Sequence, residues 1–154
     1  MSATTRKDLG WVTTQLMLMA ALLFAPGWLS IAALAPFRVA GLSLAWLGMI
    51  LAGWASLYLR AGKSFTPMPS PRDNAILQTT GPYRWVRHPV YSGLLVWAFG
   101  VALAGGTTSH LLLATAHFLF FNAKAAYEER ALTKKFSGYA EYAATTPRLF
   151  PRVV

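Results

Sequence analysis

The chain is 154 residues long, 55% hydrophobic and only 12% charged, with 14 Lys plus Arg against 5 Asp plus Glu and no cysteine. That is one domain's worth of residues. A soluble domain carries roughly a quarter charged residues, so half that share, with a mean hydropathy of +0.42, implies that lipid covers much of the surface. The aliphatic and aromatic content excludes intrinsic disorder, the missing Cys excludes a disulfide scaffold or thiolate metal site, and no nucleic-acid partner is expected, because the net charge of +9 falls between long neutral stretches rather than on one basic face.

No charged residue occurs from Leu9 to Phe37 or from Val39 to Leu59. Each stretch reaches the roughly 20 residues that cross about 30 Å of hydrocarbon. Pro26-Gly27 predicts a bend in the first, which is placed at 9–34, with the second at 39–59. Gly48, Ala52 and Ser56 fall at i, i+4 and i+8 of the second span, a small-residue stripe that either lets another helix approach closely or arises by chance. The neutral stretch from Pro89 to Ala123 is too long for one crossing, and Gly105-Gly106-Thr107-Thr108-Ser109 near its middle is turn chemistry. A helical hairpin follows, with short arms at 90–104 and 110–127. The expected fold class is therefore all-α: one polytopic membrane domain over 1–154 with about four transmembrane helices, a loop at 62–88 and a tail at 128–154 carrying an amphipathic helix.

With four crossings, 13 Lys and Arg fall on one side and Arg38 alone on the other, so the termini and central loop are expected to be cytoplasmic. A rival reading takes Arg6-Lys7 as the start of a signal peptide cleaved near Ala33-Leu34-Ala35. It would put the basic loop and tail on opposite faces, against that count.

Polar residues concentrate in two blocks on the same expected side, 62–88 and 124–152, and the hairpin brings their ends together. Arg84, Arg87, His88 and Tyr91 should then face Lys124, Glu128 and Glu129. In the first block Gly81-Pro82 forces a turn, and Pro89 suits a helix's first turn while holding His88 extended. The free N–H groups there can hold a carboxylate or phosphate, or Arg84 and Arg87 simply anchor to lipid phosphates with His88 as polar punctuation. In the second block Lys124 and Glu128 sit at i, i+4 and can pair. Alternatively, one Glu accepts hydrogen bonds from ribose hydroxyls or another polar ligand group in a partly dry pocket. Tyr139 and Tyr142 are either interfacial belt residues or a pocket wall. His110 and His117 lack a third ligand at fixed spacing, so no metal is expected, and neither a nucleophile turn nor a Gly-rich phosphate loop is present.

The pattern Gly81-Pro82-Tyr83-Arg84-x-x-Arg87-His88-Pro89-x-Tyr91-x-Gly93, then Glu128-Glu129-x-x-Leu132, then Tyr139-x-x-Tyr142-x4-Pro147-Arg148-x-x-Pro151 resembles the isoprenylcysteine carboxyl methyltransferase and phospholipid N-methyltransferase superfamily of integral membrane enzymes. The resemblance covers roughly residues 79–151 and departs at Phe136-Ser137-Gly138-Tyr139, one residue shorter than the usual step. It implies S-adenosylmethionine as methyl donor, held at the cytoplasmic membrane boundary, with a lipophilic or small membrane-accessible acceptor entering from the bilayer. It also implies that Tyr83, Arg87, His88, Tyr91 and Gly93 line the donor pocket, that Glu128 or Glu129 holds the ribose or adenine, and that Arg148 closes the pocket or meets the acceptor. A carboxylate acceptor needs no base; for an amine or thiol, His88 is the candidate general base. The alternatives are an NADPH-dependent membrane reductase of the sterol or steroid type, similar around Arg-His-Pro, and a non-enzymatic scaffold binding anionic lipid. Neither the acceptor nor the oligomeric state follows from the sequence.

Overall fold

The structure, a computed structural model, describes residues 3–151. Four long helices and one short one make it up: α1 (Ala3–Leu23), α2 (Arg38–Ala61), α3 (Pro89–Gly105), α4 (Thr108–Lys135) and α5 (Tyr139–Thr145). The all-helical expectation holds among the described residues, and the hairpin of α3 and α4 is present. Among them one helical stretch, Ala32–Ala61, is long and apolar enough to cross a membrane by length and composition, with a mean hydropathy of 1.6. α3 is apolar but shorter.

The first helix differs from expectation. Pro26 and Gly27 end it rather than bend it: α1 stops at Leu23, and a short 3-10 helix at Ala32–Phe37 leads into α2. Pro26 lacks the N–H a continuing helix needs and disfavours helical geometry in the residue before it. The freed backbone groups of this stretch bond instead to the α3–α4 turn. Ile31 N–H donates to the Gly106 carbonyl at 2.8 Å, and the Ser109 hydroxyl to the Pro26 carbonyl at 2.6 Å. Gly106 closes α3 in the left-handed region at φ 59°, which costs a glycine nothing sterically. α4 also runs eight residues past the expected end of its arm, to Lys135, so both glutamates lie within the helix.

α3 is the central helix. It packs against α2 on one side and against α1 and α4 on others, burying Leu94, Leu95, Trp97, Ala98 and Ala102. The expected small-residue stripe holds at Gly48 and Ala52, reaches further toward the N-terminus of α2, and continues at Ala55 in place of Ser56. It runs Gly41, Ala45, Gly48, Ala52 and Ala55, all buried, and Ser56 returns its hydroxyl to the Ala52 carbonyl instead. A Cβ at Gly48 would lie 2.3 Å from the Trp97 nitrogen, and one at Gly93 2.5 Å from the Ala52 nitrogen. The two helices therefore touch backbone to backbone, the close approach that small residues permit.

Candidate functional site

The corner between the central loop and α3 is built as the sequence suggests. Gly81 takes φ 58°, and a Cβ there would run into the Tyr58 ring, so only glycine turns the chain here. A short turn over Gly81–Arg84 leads to His88, which precedes Pro89 at the first position of α3. The tail then zips onto this corner. Arg87 N–H donates to the Pro147 carbonyl at 2.8 Å, His88 N–H to the Arg148 carbonyl at 3.0 Å, and the Ser92 hydroxyl to the Leu149 carbonyl.

Glu129 is the hub of the arrangement. Its carboxylate accepts from Arg87 Nε at 2.9 Å, lies 3.1 Å from His88 Nε2, and is gripped by Arg148 through Nε at 3.1 Å and a second nitrogen at 2.6 Å. Arg87 Nη2 also lies 2.9 Å from the carboxylate, and Nη1 donates to the carbonyls of Ala143, at 2.8 Å, and Thr146. One carboxylate thus ties α4, the α3 corner and the tail together. Burial alone would raise its pKa, but the hydrogen bonds from His88, Arg148 and Arg87 outweigh burial and hold its carboxyl well below the usual carboxylate range. The same bonds to Glu129 push the Arg148 guanidinium up.

Glu128 does something else. Tyr91 donates its hydroxyl to Glu128 Oε2 at 2.7 Å, and His88 Nδ1 lies 3.7 Å from the same oxygen. The His88 and Tyr91 rings stack, 5.3 Å between centroids and 2° from parallel. Both residues, with Glu128, line a cavity of about 250 Å³, whereas Glu129 and Arg148 do not. Tyr83, Arg87, Lys124, Tyr139 and Tyr142 line it too.

The sequence-expected residues therefore divide. Tyr83, Arg87, His88, Tyr91 and Glu128 meet at one cavity, Glu129 and Arg148 brace it from outside, and Gly93 faces α2 rather than the cavity. Arg84 does not line the cavity. Tyr139 and Tyr142 form cavity wall, not an exposed belt; Tyr139 is 2% exposed. Burial pushes both Tyr83 and Tyr139 up, with nearby carboxylates adding to it, and Tyr142 is pushed up to about 12 by burial against the opposing pull of Arg87. All three are hydroxyl donors at neutral pH.

The i, i+4 pair of Lys124 and Glu128 does not form. The Lys124 ammonium turns instead to Gln15 Oε1 at 2.5 Å and lies 5.3 Å over the Tyr91 ring. Gln15, Gln78 and the stretch 64–67, which close the far wall, were not expected at the site. Gln15 carried a signal, as the one amide side chain in α1; the loop residues carried none, since nothing local says which wall a Pro-rich loop will cover.

By fold the chain is similar to an intramembrane methyltransferase. It superposes over 99% of its length on the eukaryotic Ras methyltransferase, isoprenylcysteine carboxyl methyltransferase, with a TM-score of 0.68 and 23% identity, covering 55% of that chain. The phospholipid methyltransferase family matches residues 37–138, and the chain belongs to that family. It is 37% identical over 118 residues to protein-S-isoprenylcysteine O-methyltransferase B of Arabidopsis thaliana (73% of this chain, 58% of that one). The corresponding enzyme of Schizosaccharomyces pombe is 31% identical over 121 residues (76% and 50%). The cobalt-zinc-cadmium resistance protein CzcN of Cupriavidus metallidurans is 36% identical over 114 residues (73% and 47%). The chain spans about half the length of the curated relatives it matches.

Proposed function

We propose that this chain transfers a methyl group from S-adenosylmethionine to a lipophilic or small membrane-accessible acceptor, at the cytoplasmic boundary of a membrane that it crosses with about four helices. The observation that carries this reading is the meeting of the Arg87-His88-Pro89 corner with Glu128 in one cavity, built from two stretches of chain 37 residues or more apart. Family membership supplies the ligand class.

The residues present fit such a donor. Glu128 offers an anionic acceptor for hydroxyls, Gln15 and Gln78 offer amides, and Phe65 offers a ring face for a base to lie against. The Tyr139 hydroxyl is buried at the cavity wall with no hydrogen-bond partner among the described residues, and a buried donor left unpaired costs about 1–3 kcal/mol. A polar ligand would satisfy it. Bound there, S-adenosylmethionine supplies a methyl already activated on a cationic sulfur.

What the protein contributes is position and dryness. Tyr91 fixes Glu128, the stacked His88 fixes Tyr91, and the tail seals one side through Tyr139 and Tyr142. Holding an acceptor atom in line contributes on the order of 7 to 11 kcal/mol of barrier reduction. His88 serves as an organiser in this scheme. Its Nε2 faces the Glu129 carboxylate at 3.1 Å, which leaves Nδ1, 3.7 Å from Glu128 Oε2, as the ring nitrogen that would take a proton from an amine or thiol acceptor, whereas a carboxylate acceptor needs no base. Arg148 acts by bracing the tail on Glu129.

Radiolabelled S-adenosylmethionine should bind the purified protein and not be displaced by NADPH; displacement by NADPH would favour the reductase instead. A lipid-binding scaffold would show no donor binding at all. Mass spectrometry of a membrane lipid extract incubated with methyl-labelled donor would then identify the acceptor.

A further inference from the structure

We infer that Lys124 is the carboxylate-binding residue of the cavity. Its side chain is 1% exposed, on a helix expected to lie within the membrane. The ammonium donates to Gln15 Oε1 at 2.5 Å and to the Pro67 carbonyl at 3.5 Å, and it stands over the Tyr91 ring. Gln15, Pro67, Tyr91 and Lys124 itself all line the cavity, so the charge sits at its wall.

Every one of those partners is neutral. Among the described residues no carboxylate oxygen lies within 4.0 Å of this nitrogen, although Glu128 and Asp8 are close enough to be felt electrostatically. The other basic groups at the cavity are differently placed: Arg87 is paired with Glu129 at 2.9 Å, and the His88 ring nitrogens lie 3.1 Å from Glu129 and 3.7 Å from Glu128. A buried charge in low dielectric is costly unless an opposite charge faces it, and intramembrane cations mark ligand pathways for that reason. Lys124 therefore keeps a place for an anion that arrives with the ligand, and an ammonium carrying neutral acceptors on one side matches a carboxylate on the other.

The inference rests on the methyl-transfer reading, in which two ligands bring a carboxylate: the amino-acid end of the donor, or an acidic acceptor. The full chain in lipid nanodiscs is titrated calorimetrically with S-adenosylhomocysteine, with its decarboxylated analogue, and with oleate as a lipophilic carboxylate probe. Lys124→Met, which keeps length and removes charge, is compared with Lys124→Arg, which keeps charge. If the donor's carboxylate is the counter-ion, Lys124→Met binds S-adenosylhomocysteine about tenfold or more weakly, the loss expected for a charged hydrogen bond. The decarboxylated analogue then binds the wild type and Lys124→Met alike, and Lys124→Arg recovers most of the loss. If the acceptor's carboxylate is, S-adenosylhomocysteine binding is unchanged and oleate binding falls by a similar factor. Should Lys124→Met bind both probes as the wild type does, the inference is overturned while the methyl-transfer reading stands. Should Lys124→Met fail to fold, the wild type alone decides: equal affinity for S-adenosylhomocysteine and its decarboxylated analogue, with no oleate binding, overturns it. Wild-type protein that does not bind S-adenosylhomocysteine removes the reading and the inference together.

Discussion

Along α3, the seam with α2 and the corner at its N-terminus are held by opposite kinds of contact. At the seam, Gly48 and Gly93 bring backbone onto backbone, and the contact works because nothing is there: a single Cβ would lie 2.3 to 2.5 Å from a backbone nitrogen. At the corner, Glu129 gathers Arg87, His88 and Arg148, and the contact works because every donor finds an acceptor. The seam is a constraint of size and the corner one of charge. Each tolerates what would ruin the other, and that contrast can be tested.

The largest effect belongs to the seam. Gly48→Leu must push α2 off α3 along its whole length, since backbone cannot yield as a side chain can. Overpacking costs about 1–3 kcal/mol where side chains can move, and more where they cannot, so little folded protein should survive size-exclusion chromatography in detergent. Recovery of a folded Gly48→Leu variant with unchanged melting temperature would break the seam argument.

Glu129→Ala comes next. It leaves the Arg87 guanidinium, whose side chain is 11% exposed, without its counter-charge, and breaking such a pair from one side costs about 3–5 kcal/mol. The expected result is a lowered melting temperature together with faster hydrogen exchange over residues 139–149. Glu128→Gln, by contrast, should leave melting temperature and tail exchange within error and weaken donor binding about tenfold or more, read by calorimetry. Identical behaviour of the two glutamine or alanine variants would erase the division between brace and ligand.

A smaller effect is expected from Arg148→Ala. Its side chain is 38% exposed, and Glu129 keeps Arg87 and His88, so stability should fall by no more than about 1 kcal/mol. The smallest is a pH effect. Because the folded state holds the Glu129 carboxyl below its ordinary value of 4.5, its contribution is complete above that pH and is lost as pH falls toward the folded value. The gap in melting temperature between wild type and Glu129→Gln should therefore be constant from pH 8 to about 5 and shrink below about 4.5. A gap that widens on acidification would show that Glu129 is not the ionised hub.

Much of this was legible in the sequence. The α3–α4 hairpin followed from an uncharged run too long for one crossing, broken by Gly105-Gly106, and Gly81, Pro82 and Pro89 marked the corner through backbone restrictions that no tertiary context changes. The full reach of the small-residue stripe was not legible, because Gly41 and Ala45 look no different from other small residues until α3 is set against them. The end of α1 was misplaced for a related reason. Pro26 permits either a kink or a stop, and the choice fell to the α3–α4 turn, whose Gly106 carbonyl and Ser109 hydroxyl accept and donate where a helix would have bonded to itself.

The two glutamates set the boundary between the two kinds of knowledge. Composition and spacing alone dictated a helical chain suited to lipid, a turn at each glycine pair or Gly-Pro, and an Arg-His-Pro corner opposite a Glu-Glu step. Adjacent helical residues, however, point about 100° apart, and no local rule says which of the two faces inward. Only the packing of α4 on α3 and the return of the tail made Glu129 the brace and Glu128 the cavity wall, and turned Lys124 away from its helical neighbour toward Gln15. Those choices depend on charges and carbonyls that arrive from distant parts of the chain.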